Sequence, residues 1–542
     1  MHWWQSRTRR AASFRRCLTI DQKQIQIRMN TQSKQGNLMP KVEITQGPIE
    51  GIDGVGVIEY RGVPFAAPAT GDLRFRAPRA PQPWQGSFRA ERRAPAALQE
   101  KNPVMGIEDR ASDCLYLNLW VPEGQGPFPV MVWFHGGGYL SGSPSQALYD
   151  GARLAREQRV IVVNAAYRLG FCGYGWLREL APELESEGNL GLRDQVAALE
   201  WVRENIGAFG GDAARVTVFG ESAGGFSVAT LMATPAAHGL FQRAICQSGA
   251  GDMVVTPEEA TRISALVVDA LAGEGAPADR LRQASDRDLI RAQRHALRNT
   301  VARGLRDTTP QFGMVFMPVV DGDFLPEMPV NAVARGAARE IELLAGVCRD
   351  EWQLFQYAPP FNGGHALKRL RDIGASELDK RFRRALPEHG EEALALYRDR
   401  VIPDERRGPL DIYCAMETDR LFRVPTRRLL DAQASAGGRA HGFQFTHEVD
   451  AFGVPLGACH VVDVPLVFNL IDTPVGQLFT GGDETAVALA REVSGLWGAF
   501  AHGEPPPWPD WSTDATARCF GPGDFATFPD ASLEDLWKRV IP

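Results

Sequence analysis

The sequence predicts an α/β fold, a mostly parallel central sheet with helical insertions. Three observations predict it. Short β-branched runs alternate with turns and helical stretches from Gly56 to Phe219. A helical stretch separates two of these runs, which calls for a right-handed parallel crossover. Val218–Gly225, VFGESAGG, then carries a strand into a helix through small residues.

The strands come first. Val130–Phe134, Val160–Asn164 and Val216–Phe219 are apolar, β-branched and strand-sized. Between the last two, Leu192–Ile206 places Val196, Leu199, Val202 and Ile206 at helical spacing. Thr256-Pro257-Glu258-Glu259 then marks a helix start, with an N-cap threonine, proline at the first position and glutamate three residues after the cap. From there to about Ala440 the chain is mainly helical and arginine-rich. Two strand-like pieces, Phe316–Val320 and Ile341–Ala345, interrupt it. Residues 41–542 are expected to form one domain, with residues of about 250–440 as helical insertions over the sheet.

Composition narrows the class. The 542 residues are 44% hydrophobic and 23% charged, as in ordinary soluble globular chains. No apolar run approaches the ~18 residues of a membrane helix. A net charge of −7 argues against nucleic acid as a partner. Residues 1–40 depart from the rest, with eight lysines and arginines against Asp21 alone, so the remainder carries −14. No apolar core of a signal peptide follows this basic start. A disordered extension or a start placed too far upstream is expected there, Met29 and Met39 being alternative starts; a transit peptide is the competing reading. The eight cysteines are widely and irregularly spaced without a CxxC pair, so neither a zinc site nor a disulfide framework is indicated. The expectation is a reducing, cytoplasmic setting.

Gly220-Glu221-Ser222-Ala223-Gly224 fits GxSxG, in which a strand turning directly into a helix forces the serine into a strained conformation and exposes its Oγ. Upstream, His135-Gly136-Gly137-Gly138 ends a strand with three glycines, which free backbone N–H groups to face a developing oxyanion. A phosphate loop is the rival, but the glycine spacing is wrong and the next strand ends at Asn164 instead of an acid. An acid and then a histidine should follow the serine. The acid candidates are Glu351 and its neighbour Asp350, at the end of an apolar run; the histidine candidates are His460 and His447.

Together these segments resemble the type B carboxylesterases, the cholinesterase-like branch of the α/β-hydrolases. The resemblance runs from about Lys41 to Pro522. It includes Tyr60–Pro78, SDCLYLNLW (Ser112–Trp120), HGGGY, AYRLG (Ala166–Gly170), Gly188–Asp212, FGESAGG, FQRAICQSG (Phe241–Gly249), MPVVDGDFLP (Met317–Pro326), GVCRDE and GACH. It implies an α/β-hydrolase fold with the insertions covering the active site. By matched motif it makes Ser222 the nucleophile, Glu351 the acid and His460 the general base. The N–H groups of Gly137, Gly138 and Ala223 match the oxyanion hole. Glu221 matches a glutamate near the base, and Ser248 a buried structural serine.

What the resemblance implies is a serine carboxylesterase, without metal or cofactor, acting on small to medium uncharged esters through an acyl-enzyme. An amidase, carbamate hydrolase or lactone/toxin hydrolase is the alternative, and a non-catalytic binding member of the fold is a third reading. Oligomeric state is not legible. Several positions depart from the pattern. Ala97 stands where a cysteine partner of Cys114 is common, and Ser112 where a glutamate pairs with the arginine matched by Arg74, leaving Glu108 or Asp109 as substitutes. The loop before Cys114 holds no aromatic residue, which argues against a choline ester. Trp352 and Val461 replace small residues beside the acid and the base.

Overall fold

Among the described residues, eleven strands form one sheet whose parallel centre delivers its C-terminal strand ends to a common edge. The computed structural model describes residues 40–302, 314–358, 373–400, 408–529 and 531–541. The basic extension expected over residues 1–40 lies outside them, save for residue 40. Lys41–Pro542 group into a single unit.

In chain order the strands are β1 (Ile52–Asp53), β2 (Val57–Pro64), β3 (Tyr116–Pro122), β4 (Phe128–Phe134), β5 (Ile161–Ala165), β6 (Gly211–Glu221), β7 (Arg243–Gln247), β8 (Glu342–Cys348), β9 (Ala440–Phe445), β10 (Ala517–Phe520) and β11 (Phe525–Ala526). Across the sheet they run β11-β10-β9-β8-β7-β6-β4-β5-β3-β2-β1. The seven from β10 to β5 are mutually parallel, and antiparallel strands close both edges. Every residue of β4 and β5 is buried, which explains why they read as unbroken apolar runs and not as alternating ones. Helix α1 (Leu190–Asn205) lies between β5 and β6 in the chain, and the two strands flank β4 in space.

The capping box at Thr256 forms as its residues require. Thr256 Oγ1 accepts from the Glu259 N–H, and Glu259 Oε2 accepts from the Thr256 N–H, opening the helix Pro257–Ala270. Ile341–Ala345 falls largely in β8. Phe316–Val320 does not form a strand: Val319 makes a single bridge to Val255, and the Asn189 side chain takes up both the N–H and the C=O of Val319. That amide satisfies the backbone that a second strand would otherwise have to pair. Most remaining described residues from Pro257 to Ser435 are helical. Several of these helices pack with the C-terminal helix Glu534–Val540 in a separate apolar cluster built on Phe382, Tyr397, Met416 and Trp537.

Arg74 finds its partner in neither Glu108 nor Asp109. Its guanidinium donates to Ala284 O at 2.6 Å and pairs with Asp286 at 3.4 Å. Ser112 Oγ donates to the same carboxylate at 2.6 Å. The charge lost at Ser112 is thus replaced from 174 residues away.

Candidate active site

Register brings the two glycine motifs together. Phe134 on β4 pairs with Gly220 on β6, so the strands end side by side and release HGGG next to Glu221 and Ser222. Ser222 sits at φ 57°, ψ −124°, between β6 and helix α2 (Ala223–Met232). Its N–H donates to Gln247 O on β7, and its carbonyl accepts from Phe226. The glycines on either side permit this turn. A Cβ on Gly224 would lie 1.9 Å from Phe134 O, and one on Gly220 2.5 Å from the Gly224 carbonyl carbon. Strand, helix and the neighbouring strand therefore meet backbone to backbone.

The HGGG loop is tightly held. Gly137 has φ 115°, and its carbonyl accepts from the N–H groups of Leu140 and Ser141. A side chain there would collide with Ser141 O at 2.0 Å. Among the described residues the N–H groups of Gly137, Gly138 and Ala223 donate to no protein acceptor. His135 is fully enclosed: its Nδ1–H donates to Gly136 O, Tyr167 stacks on the ring at 4.6 Å, and burial lowers its pKa to about 4. It is a neutral structural group at ordinary pH.

Sequence reasoning missed the clamp on this loop. Gln99 is fully buried; its amide N–H donates to Gly142 O and Ala97 O, and its oxygen accepts from the Gly142 N–H at 2.9 Å. A glutamine has no motif of its own, so only the fold reveals it.

Glu351 follows β8 and is completely buried. Oε1 accepts from the Cys348 N–H at 2.7 Å, and Oε2 accepts from His460 Nδ1 at 2.5 Å. Asp350 turns elsewhere, accepting from the Ala458 N–H and pairing with Arg349. His447 is also elsewhere, its Nε2 donating to Thr480 O at 2.9 Å. Of the candidate pairs, His460 and Glu351 are the two that meet.

The other edge of His460 faces Glu221, with Nε2 3.0 Å from Oε1. The contact is an ion-pair approach and lacks hydrogen-bond alignment, since Glu221 Oε1 has no hydrogen-bond partner. No hydrogen bond joins His460 to Ser222 among the described residues. Phe355 and Phe422 pack against the imidazole at 5.0 and 5.1 Å. Burial alone pulls the His460 pKa down, but the charges of Glu221 and then Glu351 outweigh it and leave it raised. A third buried carboxylate, Asp463, accepts from Gln247 Nε2 at 2.6 Å. Burial, reinforced by Glu221, pushes its pKa up to about 7. Neither Gln247 nor Asp463 carried a sequence signal.

Ser222, Glu221, His460 and the glycines Gly136–Gly138 line one cavity of about 470 Å³. The rest of its wall is chiefly apolar, with Met105, Leu148, Met314, Trp352, Phe422 and Val461 prominent. Glu221 and His460 are its sole ionisable side chains apart from Tyr149, among the described residues. The cavity is thus mostly apolar, with a serine hydroxyl, an imidazole and the Gly137 and Gly138 backbone on its wall. No group of three or more metal-ligating side chains with metal-site geometry occurs among the described residues.

The chain is similar to known proteins along most of its length. The family model described as the carboxylesterase family matches residues 39–518. The chain is 42% identical over 316 residues to the para-nitrobenzyl esterase of Bacillus subtilis (strain 168), an alignment spanning 57% of this chain and 62%, under two thirds, of that relative. It is 33% identical over 495 residues to the fumonisin B1 esterase of Sphingopyxis macrogoltabida, covering 88% of this chain and 85% of the relative. Among solved structures, a Geobacillus stearothermophilus carboxylesterase superposes with a TM-score of 0.78 at 33% identity, over 92% of this chain and 99% of that one.

Proposed function

The chain belongs to the carboxylesterase family and has the α/β-hydrolase fold, and on that premise we propose that it hydrolyses small to medium uncharged carboxylic esters through a Ser222–His460–Glu351 triad. The observation carrying this reading is the 2.5 Å hydrogen bond from His460 Nδ1 to the buried Glu351, on the same cavity as Ser222.

An ester carbonyl seated beside Ser222 points its oxygen at the N–H groups of Gly137, Gly138 and Ala223. His460 Nε2 turns from Glu221 to Ser222 Oγ and takes its proton as Oγ attacks the carbonyl carbon. The three N–H donors stabilise the tetrahedral oxyanion. The imidazolium, held by Glu351, then protonates the leaving alcohol and frees it. Water repeats the sequence on the acyl-enzyme, releasing the acid and restoring Ser222. The apolar wall supports uncharged substrates. The resemblance to a fumonisin B1 esterase supports a second reading, in which a toxin ester is the substrate of the same machinery.

A reducing, cytoplasmic setting belongs to this proposal. All seven described cysteines carry free thiols, and Ala97 removes the common partner of Cys114.

Hydrolysis of p-nitrophenyl esters of graded acyl length by wild type and Ser222→Ala tests the mechanism. Loss of turnover by roughly 10⁶ is expected in the variant, and undiminished activity would sink it. Release of acid from fumonisin B1 at rates matching the best simple ester would favour the second reading.

A further inference from the structure

Val461 follows His460 in the chain and has φ 78°. Nine described non-glycine residues have positive φ, and Val461 is the single β-branched one. That conformation is strained for valine, whose branched Cβ crowds its own backbone. The Val462 N–H donates to Cys459 O and the Val464 N–H to Val461 O, closing two tight turns around the residue. Strain retained beside a reacting group points to a use for the side chain there.

Val461 forms part of the cavity wall. His460 has to protonate the leaving oxygen, so the alcohol moiety lies against the imidazole edge, and the residue next in the chain flanks it. The isopropyl group has one stiff torsion and cannot swing aside. Met105 and Met314, elsewhere on the wall, are unbranched and adaptable. We infer that Val461 sets selectivity at the alcohol side of the pocket, admitting esters of unbranched primary alcohols and excluding those branched at the carbinol carbon. This rests on the ester-hydrolase reading.

The test compares kcat/KM for tert-butyl acetate against ethyl acetate, and for ethyl pivalate against ethyl acetate, in wild type and in Val461→Gly, Val461→Ala and Val461→Ile. Val461→Gly is expected to raise the alcohol-branching ratio by about tenfold or more, the scale of methyl-sized pocket changes. Val461→Ala should raise it less and Val461→Ile lower it, with the acyl-branching ratio unmoved. The melting temperature of Val461→Gly should equal or exceed that of Val461→Ala, because glycine releases the strain that alanine keeps. An alcohol ratio unchanged in all three variants, or an equal change in the acyl ratio, would overturn the assignment while leaving ester hydrolysis standing. Absence of ethyl acetate turnover by the folded wild type would overturn both.

Discussion

His460 Nε2 lies 3.0 Å from Glu221 Oε1, while its Nδ1 is hydrogen-bonded to Glu351. One imidazole is thus held between two buried carboxylates, and its charged form is stabilised at both edges. Catalysis needs it neutral before attack, so the acid limb of kcat/KM should lie above the ordinary histidine value of 6.5. Glu221→Gln removes the larger of the two charges raising it. The expected outcome is an acid limb moved to lower pH, read from pH–rate profiles. A limb that stays in place would show that Glu221 does not govern the base.

The same shift links to stability. A group whose folded pKa is raised contributes stability that is full below its unfolded value and lost as pH rises through the folded one. The His460 contribution should therefore be complete below about pH 6.5 and fade on the alkaline side. Urea melts from pH 6 upward should show a steeper alkaline loss in wild type than in His460→Gln.

His447→Ala and His460→Ala separate two histidines that sequence alone left in competition. His447 bonds a backbone carbonyl outside the cavity, so its loss should cost stability and leave kcat within about tenfold. His460→Ala should lose about 10⁶ in kcat. The reverse pattern would reassign the base.

Gln99→Leu tests the clamp on the glycine loop. It leaves the buried N–H and C=O of Gly142 unpaired and loosens the segment that carries the proposed oxyanion donors. A fall in kcat of about 10²-fold with a small change in KM is expected, on the scale of one lost donor. An unaltered kcat would show that the loop holds its shape without Gln99.

Gly224→Ala puts a methyl group 1.9 Å from Phe134 O. Backbone cannot yield there without separating β4 from α2. Loss of soluble folded protein, or destabilisation above about 4 kcal/mol by chemical melts, is expected. A stable, active variant would contradict the close packing at the elbow.

Much of this was legible along the chain. VFGESAGG, HGGG, the helix over Leu192–Ile206 and the Thr256 cap each express a local rule, in which a few contiguous residues dictate their own geometry. Phe316–Val320 shows where such rules fail: its strand pattern is real, but beyond one bridge to Val255 the Asn189 side chain, far off in sequence, takes both backbone hydrogen bonds of Val319. Gln99, Gln247, Asp286 and Asp463 were silent for the same reason, since their meaning lies in what they touch.

By itself, then, the sequence determined the α/β class, the serine turn and the glycine loop, because steric and hydrogen-bond demands act between neighbours. Only the tertiary structure decided which histidine meets which acid, that Asp286 serves Arg74, and that Glu221 faces the same imidazole as Glu351. Those pairings join residues that folding brings together from distant parts of the chain. For His460 between Glu351 and Glu221, burial strengthens each charge interaction by removing water, and no local pattern encodes that burial.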